Sequence, residues 1–237
     1  MNTYSLKARI YPVILSLLPI LIIGILFSIE FQNYYQSIGS LGLSTVLFFL
    51  FSQLGRDRGK KKEKQLWKEW QGSPTTQLFR FSNDTIDPTT KKAYHDKMNS
   101  FVLSSIIPSI KEEEKSPETC DQIYKSWTKF LISKTRDTSK FNLLFSENIN
   151  YGFRRNAYGL KPFAIIVILL LYFAIWASNY LTNDGFNFTD KSTLVSQFIL
   201  IIPLIFWVFV VNKEWIKIPA FAYAERLLET INEIKNV

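Results

Sequence analysis

Charged residues are absent from four stretches of the chain, residues 11–29, 37–55, 162–180 and 194–211. Each is 18 or 19 residues long. At about 1.5 Å of rise per residue, a helix of that length crosses a hydrocarbon core of roughly 30 Å. The pattern predicts an all-α membrane protein. Two transmembrane helical hairpins, four spans in all, flank a small, mainly helical cytoplasmic domain, and a C-terminal amphipathic helix follows. Lys7 and Arg9 resemble the charged front of a secretory leader. The apolar run behind them exceeds the usual limit of about 15 residues and no A-x-A-like site follows, so 11–29 is read as a true span.

Between the hairpins the signals are helical. Ser116-Pro117-Glu118 reads as an N-cap, a proline in the first turn and an acidic start. Cys120, Ile123, Tyr124, Trp127, Phe130 and Leu131 then recur at helical spacing as a core stripe. Asp87-Pro88 opens another helix, through Tyr94 and Met98 to Phe101. A third begins near Thr138 and runs through Phe141, Leu144 and Phe145. After Pro219, Phe221, Ala224, Leu227, Leu228, Ile231 and Ile234 share one face. This tail is not notably basic, unlike a lipid-lying helix, so it is expected to pack on the cytoplasmic domain. The expected layout is an N-terminal hairpin at 1–55, a basic cytoplasmic domain at 56–161, a second hairpin at 162–212 and a tail helix at 213–237.

Charge sets the expected orientation. Residues 56–161 hold 21 Lys/Arg against 13 Asp/Glu, whereas the rest of the chain holds 7 of each, so the whole net charge of +8 lies there. The turn at 30–36 has no basic residue and the turn at 181–193 has only Lys191. The positive-inside rule then places both termini and the basic segment in the cytoplasm. The expected location is multi-pass in a bacterial inner membrane, in contact with membrane lipids. A single cysteine, Cys120, makes no internal disulfide and suits a reducing compartment. Asn187-Phe188-Thr189 is a glycosylation sequon of a kind that chance readily produces.

The four stretches contain no ionisable residue, which argues against ion-coupled transport. Gly24 with Ser28, and Ser40 with Ser44, are four apart, a spacing that lets helix backbones approach. Gln53 and Gln197 suit bonds between helices. These features fit packing within one chain, or subunit contacts in a homo-oligomer around a pore. Pro19 and Pro203 are expected to kink their spans.

Four polar clusters are candidate ligand sites. Arg56-Asp57-Arg58-Gly59-Lys60 follows the second span, as a topological anchor at anionic lipid or as a phosphate site. It is not a P-loop, because the spacing is one residue short and no Ser/Thr follows the lysine. Thr75, Thr76 and Gln77 follow Trp70 and a Gly-Ser-Pro turn, capping a helix or lining a pocket. Arg136 and Asp137 stand in Thr-Arg-Asp-Thr, where Asp137 or Thr138 reads as an N-cap and Arg136 as a partner for a carboxylate or phosphate. Glu147 and Asn148, then Arg154 and Arg155, precede the third span. A polar group in that apolar pattern needs a partner, and Glu147 with Arg56, Arg58 or Arg154 is an expected ion pair.

Together the motifs Arg-Asp-x-Gly-Lys, Pro-Thr-Thr-Gln, Thr-Arg-Asp-Thr and Glu-Asn-x-x-Tyr-Gly-Phe-Arg-Arg-Asn resemble those of a family of bacterial four-span membrane proteins. The resemblance covers about residues 54–160 and the flanking spans. That family carries no established activity, so the resemblance assigns no catalytic residue. In architecture the chain also resembles small membrane effectors of bacterial antiphage systems, which join a cytoplasmic sensing domain to membrane helices.

Enzyme signatures are missing from the sequence. His95 is the single histidine, so no His-based metal site is expected, and Cys120 lies on an apolar stripe. No Gly-x-Ser-x-Gly elbow occurs. Asp57, Asp137 and Glu147 remain as carboxylates that nothing in the sequence draws together. No catalytic residue, metal or cofactor is expected. The expected function is an oligomeric membrane effector whose cytoplasmic domain senses an anionic nucleotide or a partner protein and alters membrane integrity. The alternative is a membrane-anchored scaffold that recruits a cytoplasmic protein or, less favoured, a nucleic acid.

Overall fold

The computed structural model describes residues 3–30, 34–102, 104 and 106–234, without the side chains of 27–30 and 34–47. Among the described residues every regular element is a helix. A π-helical stretch, Ser5–Ile10, leads into α1 (Tyr11–Glu30), followed by α2 (Tyr34–Glu69), α3 (Pro74–Phe79), α4 (Pro88–Phe101), α5 (Ile110–Lys115) and α6 (Pro117–Lys134). Then come α7 (Asn142–Thr182), α8 (Lys191–Ile205) with a π-helical extension Phe206–Val210, and α9 (Lys213–Glu229). Three helical stretches, Ser5–Leu26, Asn142–Thr182 and Lys191–Val210, are long and apolar enough to cross a membrane. The expected span 37–55 falls largely on undescribed side chains, as do Ser28, Ser40, Ser44 and the turn 30–36.

Two expectations about helix limits change. The basic run after residue 55 does not end a helix: α2 continues through it for 36 residues in all, because Lys, Arg, Glu, Gln and Leu are all good helix formers. It stops where Gln71 (φ 63°) and Gly72 (φ 143°) turn left-handed and the Gly72 amide bonds back to the Trp67 carbonyl at 2.7 Å. The helix expected near Thr138 begins instead at Asn142 and runs without a break into the apolar stretch at 162–180. Asp137 caps the turn before it, with Oδ1 accepting from the backbone of Ser139 and Lys140 and from the Ser139 hydroxyl. These hydrogen bonds, the Ser139 hydroxyl foremost, hold its carboxyl below the usual range.

The chain divides into two compact units, Met1–Glu63 with Gly152–Ile216, and Lys64–Tyr151 with Lys217–Val237. The divisions fall inside α2, α7 and α9, so each of these helices contributes residues to both units.

In the first unit, α2 and α7 meet through glycines. An added β-carbon on Gly159 would stand 2.6 Å from the Gly59 nitrogen and 2.8 Å from the Gly55 carbonyl oxygen. Beside this crossing Asn156, 1% exposed, donates to the Ala8 carbonyl at 2.7 Å. Arg155 forms a half-buried ion pair with Glu63 at 3.1 Å. Ala157, Ala164, Ile168, Leu200 and Trp207 fill the unit's apolar interior. Gln197 of α8 donates to the Tyr172 carbonyl of α7 at 3.4 Å, a bond within the chain. The loop from α7 to α8 is tied by Asn179, which donates to the Asn187 carbonyl and Thr193 hydroxyl and accepts from the Asn187 amide. Trp176, Tyr180, Phe186 and Phe188 cluster there, as aromatic side chains do at a bilayer interface.

Prolines inside helices leave carbonyls without an intrahelical donor, and cations of this unit cover two of them. Pro162 frees the Tyr158 carbonyl, which the Lys62 ammonium meets at 3.5 Å while lying 4.3 Å from the Tyr158 ring centre. Burial foremost, then Lys161 and Arg58, lowers the Lys62 pKa. Pro219 frees the Trp215 carbonyl, to which Arg154 donates at 2.8 Å while lying 5.0 Å from the Trp215 ring centre. Lys161 donates to the carbonyls of Val208 and Val211 at the end of the π-helical stretch.

The second unit has its own core. Phe79, Met98, Cys120, Tyr124, Trp127 and Leu131 pack with Ala224, Leu227, Leu228 and Ile231 of the tail. Ser73 caps α3, Asp87 caps α4 and Ser109 caps α5 by accepting backbone amides. Ser116 occupies the cap position of α6, but its side chain makes no capping bond. Arg80 holds Asp121 through two hydrogen bonds of 2.9 and 2.6 Å. Glu113 accepts from the Phe81 and Ser82 amides and from the Tyr124 hydroxyl. Lys91, 4% exposed, donates to the carbonyls of Arg80 and Asn83, and burial lowers its pKa.

Candidate functional site

The residues singled out from sequence are divided between the two units. Arg56, Arg58, Lys60, Arg154 and Arg155 belong to the first unit; Thr75, Thr76, Gln77, Arg136, Asp137, Glu147 and Asn148 belong to the second. Arg58 lies 4.3 Å from the centre of the Phe163 ring, and Lys60 is exposed. Arg56 is half-buried, with an Nε that has no partner among the described residues. Thr76 is fully buried and shares a 2.8 Å hydrogen bond with the Ser73 hydroxyl. Gln77 donates to the Gly72 carbonyl. These two therefore serve the capped turn, while Thr75 faces a cavity. Arg136 and Asp137 are exposed. Asn148 is half-buried, as is Glu147, which has no ion pair among the described residues. The partners expected of it, Arg56, Arg58 and Arg154, belong to the first unit, where Arg155 pairs with Glu63.

The cavity beside Thr75 lies wholly within the second unit and measures about 610 Å3, inside the range of about 300–1,000 Å3 typical of small-molecule sites. Three helix faces build it. Lys64, Trp67 and Lys68 stand one turn apart along α2, and Gln71 follows in the turn past its end. Lys125, Thr128, Lys129 and Ile132 repeat the same spacing on α6. Ala220, Tyr223 and Ala224 complete the wall from α9, and Gly72–Thr75 and Tyr151 close the ends. The i, i+3, i+4 spacing puts Lys64, Trp67 and Lys68 on one face of α2, as it puts Lys125, Thr128, Lys129 and Ile132 on one face of α6.

The chemistry of the wall is lopsided. All four charged residues in it are lysines, each exposed and none in an ion pair among the described residues. Their methylene stems lie along apolar surface while the ammonium groups reach water. Below them are Trp67, Ile132, the two alanines and the Tyr151–Tyr223 pair, whose rings stack with centres 6.5 Å apart. Trp67 Nε1 is closed to solvent and has no hydrogen-bond partner among the described residues. The Thr128 hydroxyl is already committed to the Tyr124 carbonyl. A cationic rim over apolar surface is complementary in charge and polarity to an organic anion.

Sequence reasoning passed over these lysines. The signal was present: Lys-x-x-Trp-Lys at 64–68 and Lys-x-x-Thr-Lys at 125–129 each place two cations on one helical face. In sequence they count only toward the basic segment 56–161.

A second recess, of about 420 Å3, is lined by Phe81, His95, Asn99 and Ile107 among others. His95 is 3% exposed. Its Nε2 donates to the Phe79 carbonyl at 2.8 Å, and burial lowers its pKa. Its Nδ1 has no partner among the described residues. Cys120 is buried in the core and its thiol is pushed up by that burial. No group of three or more His, Cys, Asp or Glu side chains comes together among the described residues.

The fold and the cavity define an all-helical protein with membrane-length helices and a basic, apolar-floored pocket. Compared with family models, curated proteins and solved structures, the chain has no match.

Proposed function

We propose that this is a ligand-responsive membrane effector: the second unit binds a small organic anion in the cytoplasm, and occupancy alters the integrity of the membrane that the first unit crosses. The observation that carries the reading is the cavity of about 610 Å3 whose only charged side chains are Lys64, Lys68, Lys125 and Lys129. The excess of positive charge in residues 56–161 supports a cytoplasmic location for that segment. Four spans in the inner membrane of a bacterium, with both termini inside, complete the topology. Homo-oligomers of the unit open a leak, which suits defence against phage. Helix α2 carries Lys64 and Lys68 in the cavity and Gly55 and Gly59 at the crossing with α7, so one element serves both ends of the response.

The test is membrane potential and dye exclusion in bacteria after induced expression, with and without phage infection. Depolarisation before growth stops, lost on exchanging Lys125 and Lys129 for glutamate while the protein remains in the membrane, is the expected result. A potential that stays intact under every condition overturns the effector reading and favours a scaffold.

A further inference from the structure

We infer that the cavity takes a single-chain anionic amphiphile, a fatty carboxylate or a lysophospholipid-like phosphate, rather than a nucleotide. The inference rests on the cavity being the ligand site of the proposed function, and it turns on what the wall offers to hydrogen-bond with. A nucleobase presents donors and acceptors together and needs both in return. Here the Thr128 hydroxyl is held by Tyr124. The Ser73 hydroxyl is held among Thr75, Thr76 and the Thr76 amide. The Gly72 carbonyl already accepts from Gln77. Gln71, exposed at the mouth, is the one amide left.

The charged groups of the wall only donate: four lysine ammonium groups at the rim. A base set against that wall meets mostly apolar side chains and hydroxyls whose protons are already engaged. A carboxylate or phosphate oxygen meets the four lysine ammonium groups. Behind the rim, the lysine stems, Ile132, Ala220, Ala224 and the Trp67 ring form a floor suited to methylene groups. The two lysine pairs, one turn apart on α2 and on α6, hold a headgroup from two sides. Among the described residues no acidic side chain lines the cavity to repel it.

The experiment uses the full chain in phosphatidylcholine nanodiscs with a diazirine-bearing dodecanoate, followed by mapping of the labelled peptides. Labelling within residues 64–75, 125–132 and 220–224 is expected. Decanoate, dodecanoate and dodecyl phosphate should compete, with affinity rising roughly fourfold per added CH2 until the chain fills the cavity. The better of dodecanoate and dodecyl phosphate tells a carboxylate headgroup from a phosphate one. Exchange of Lys125 and Lys129 for glutamine should weaken competition at least tenfold with the unfolding temperature unchanged. Displacement by ATP or a cyclic dinucleotide, with no effect of dodecanoate, overturns the amphiphile and leaves the anion reading standing. Labelling confined to membrane-length helices, with neither class of anion bound at the cavity by equilibrium dialysis, overturns both.

Discussion

The backbone of Gly159 in α7 lies against that of Gly59 in α2 so closely that a β-carbon at position 159 would stand 2.6 Å from the Gly59 nitrogen. Real side-chain carbons essentially never approach backbone that closely, and here the obstacle is main chain that a rotamer change does not move. Gly159→Ala should therefore destabilise the first unit by about 1–3 kcal/mol, the usual cost of overpacking. Gly59→Ala should follow, since its β-carbon would meet the Arg155 carbonyl at 2.9 Å. Gly55→Ala should cost less, because its neighbour is the flexible end of Leu160. Thermal unfolding in detergent, read by the loss of the monodisperse peak, ranks the three. An equal cost at 55 and 159 would rule the crossing out.

The bond from Arg154 to the Trp215 carbonyl compensates for Pro219, which has no amide to offer four residues on. Arg154→Met should cost about 1–2 kcal/mol, as for loss of a charge-assisted hydrogen bond. In a Pro219→Ala background the carbonyl regains a helical donor, so the same substitution should cost measurably less. A double-mutant cycle checks this, and strict additivity would show that the two residues act independently.

Arg80 grips Asp121 with two parallel hydrogen bonds. The bond to Asp121 raises the Arg80 pKa above its ordinary value. Lysine offers a point charge in place of the fork. Arg80→Lys should lower stability by about 1 kcal/mol despite conserving charge, and Asp121→Asn by a similar amount, the pair being only partly buried. Chemical denaturation followed by tryptophan fluorescence measures both.

His95 gives the second unit an acid-sensitive component. Burial lowers its folded pKa below the ordinary 6.5, so above that pH both folded and unfolded chains carry it neutral and nothing is lost. As pH falls through about 6.5 the unfolded chain binds the proton first. Stability then drops by up to about 1.4 kcal/mol per pH unit until the folded pKa is reached. His95→Gln keeps a donor for the Phe79 carbonyl but does not titrate, so its stability should lack this part of the pH dependence. Unfolding of the two proteins between pH 7.5 and 5 makes the comparison, and parallel curves would contradict it.

Much of the local structure was legible. The uncharged stretches around 11–29, 162–180 and 194–211 coincide with the three membrane-length helices, because an 18-residue window without charge states its preference for hydrocarbon on composition alone. The stripe from Cys120 to Leu131 and the tail face from Ala224 to Ile231 are buried as their 3.6-residue period implies. Caps such as Asp87 before Pro88 need only neighbours in sequence.

What the sequence left undecided is which face meets which. Periodicity tells that a helix has an apolar or basic side, but the partner is chosen by shape and close approach between segments far apart in the chain. Lys62 finds Tyr158, 96 residues away. The Gly55–Gly59 pair carried the same spacing signal as Gly24–Ser28, yet only the crossing with Gly159 shows its use. The four lysines line one cavity only because faces of α2, α6 and α9 turn toward it. Arg154 stands in sequence only as a cation before the third span; the Trp215 carbonyl, 61 residues away, gives it a partner. Local preference is written residue by residue, whereas a binding surface exists only where tertiary packing brings separate faces together.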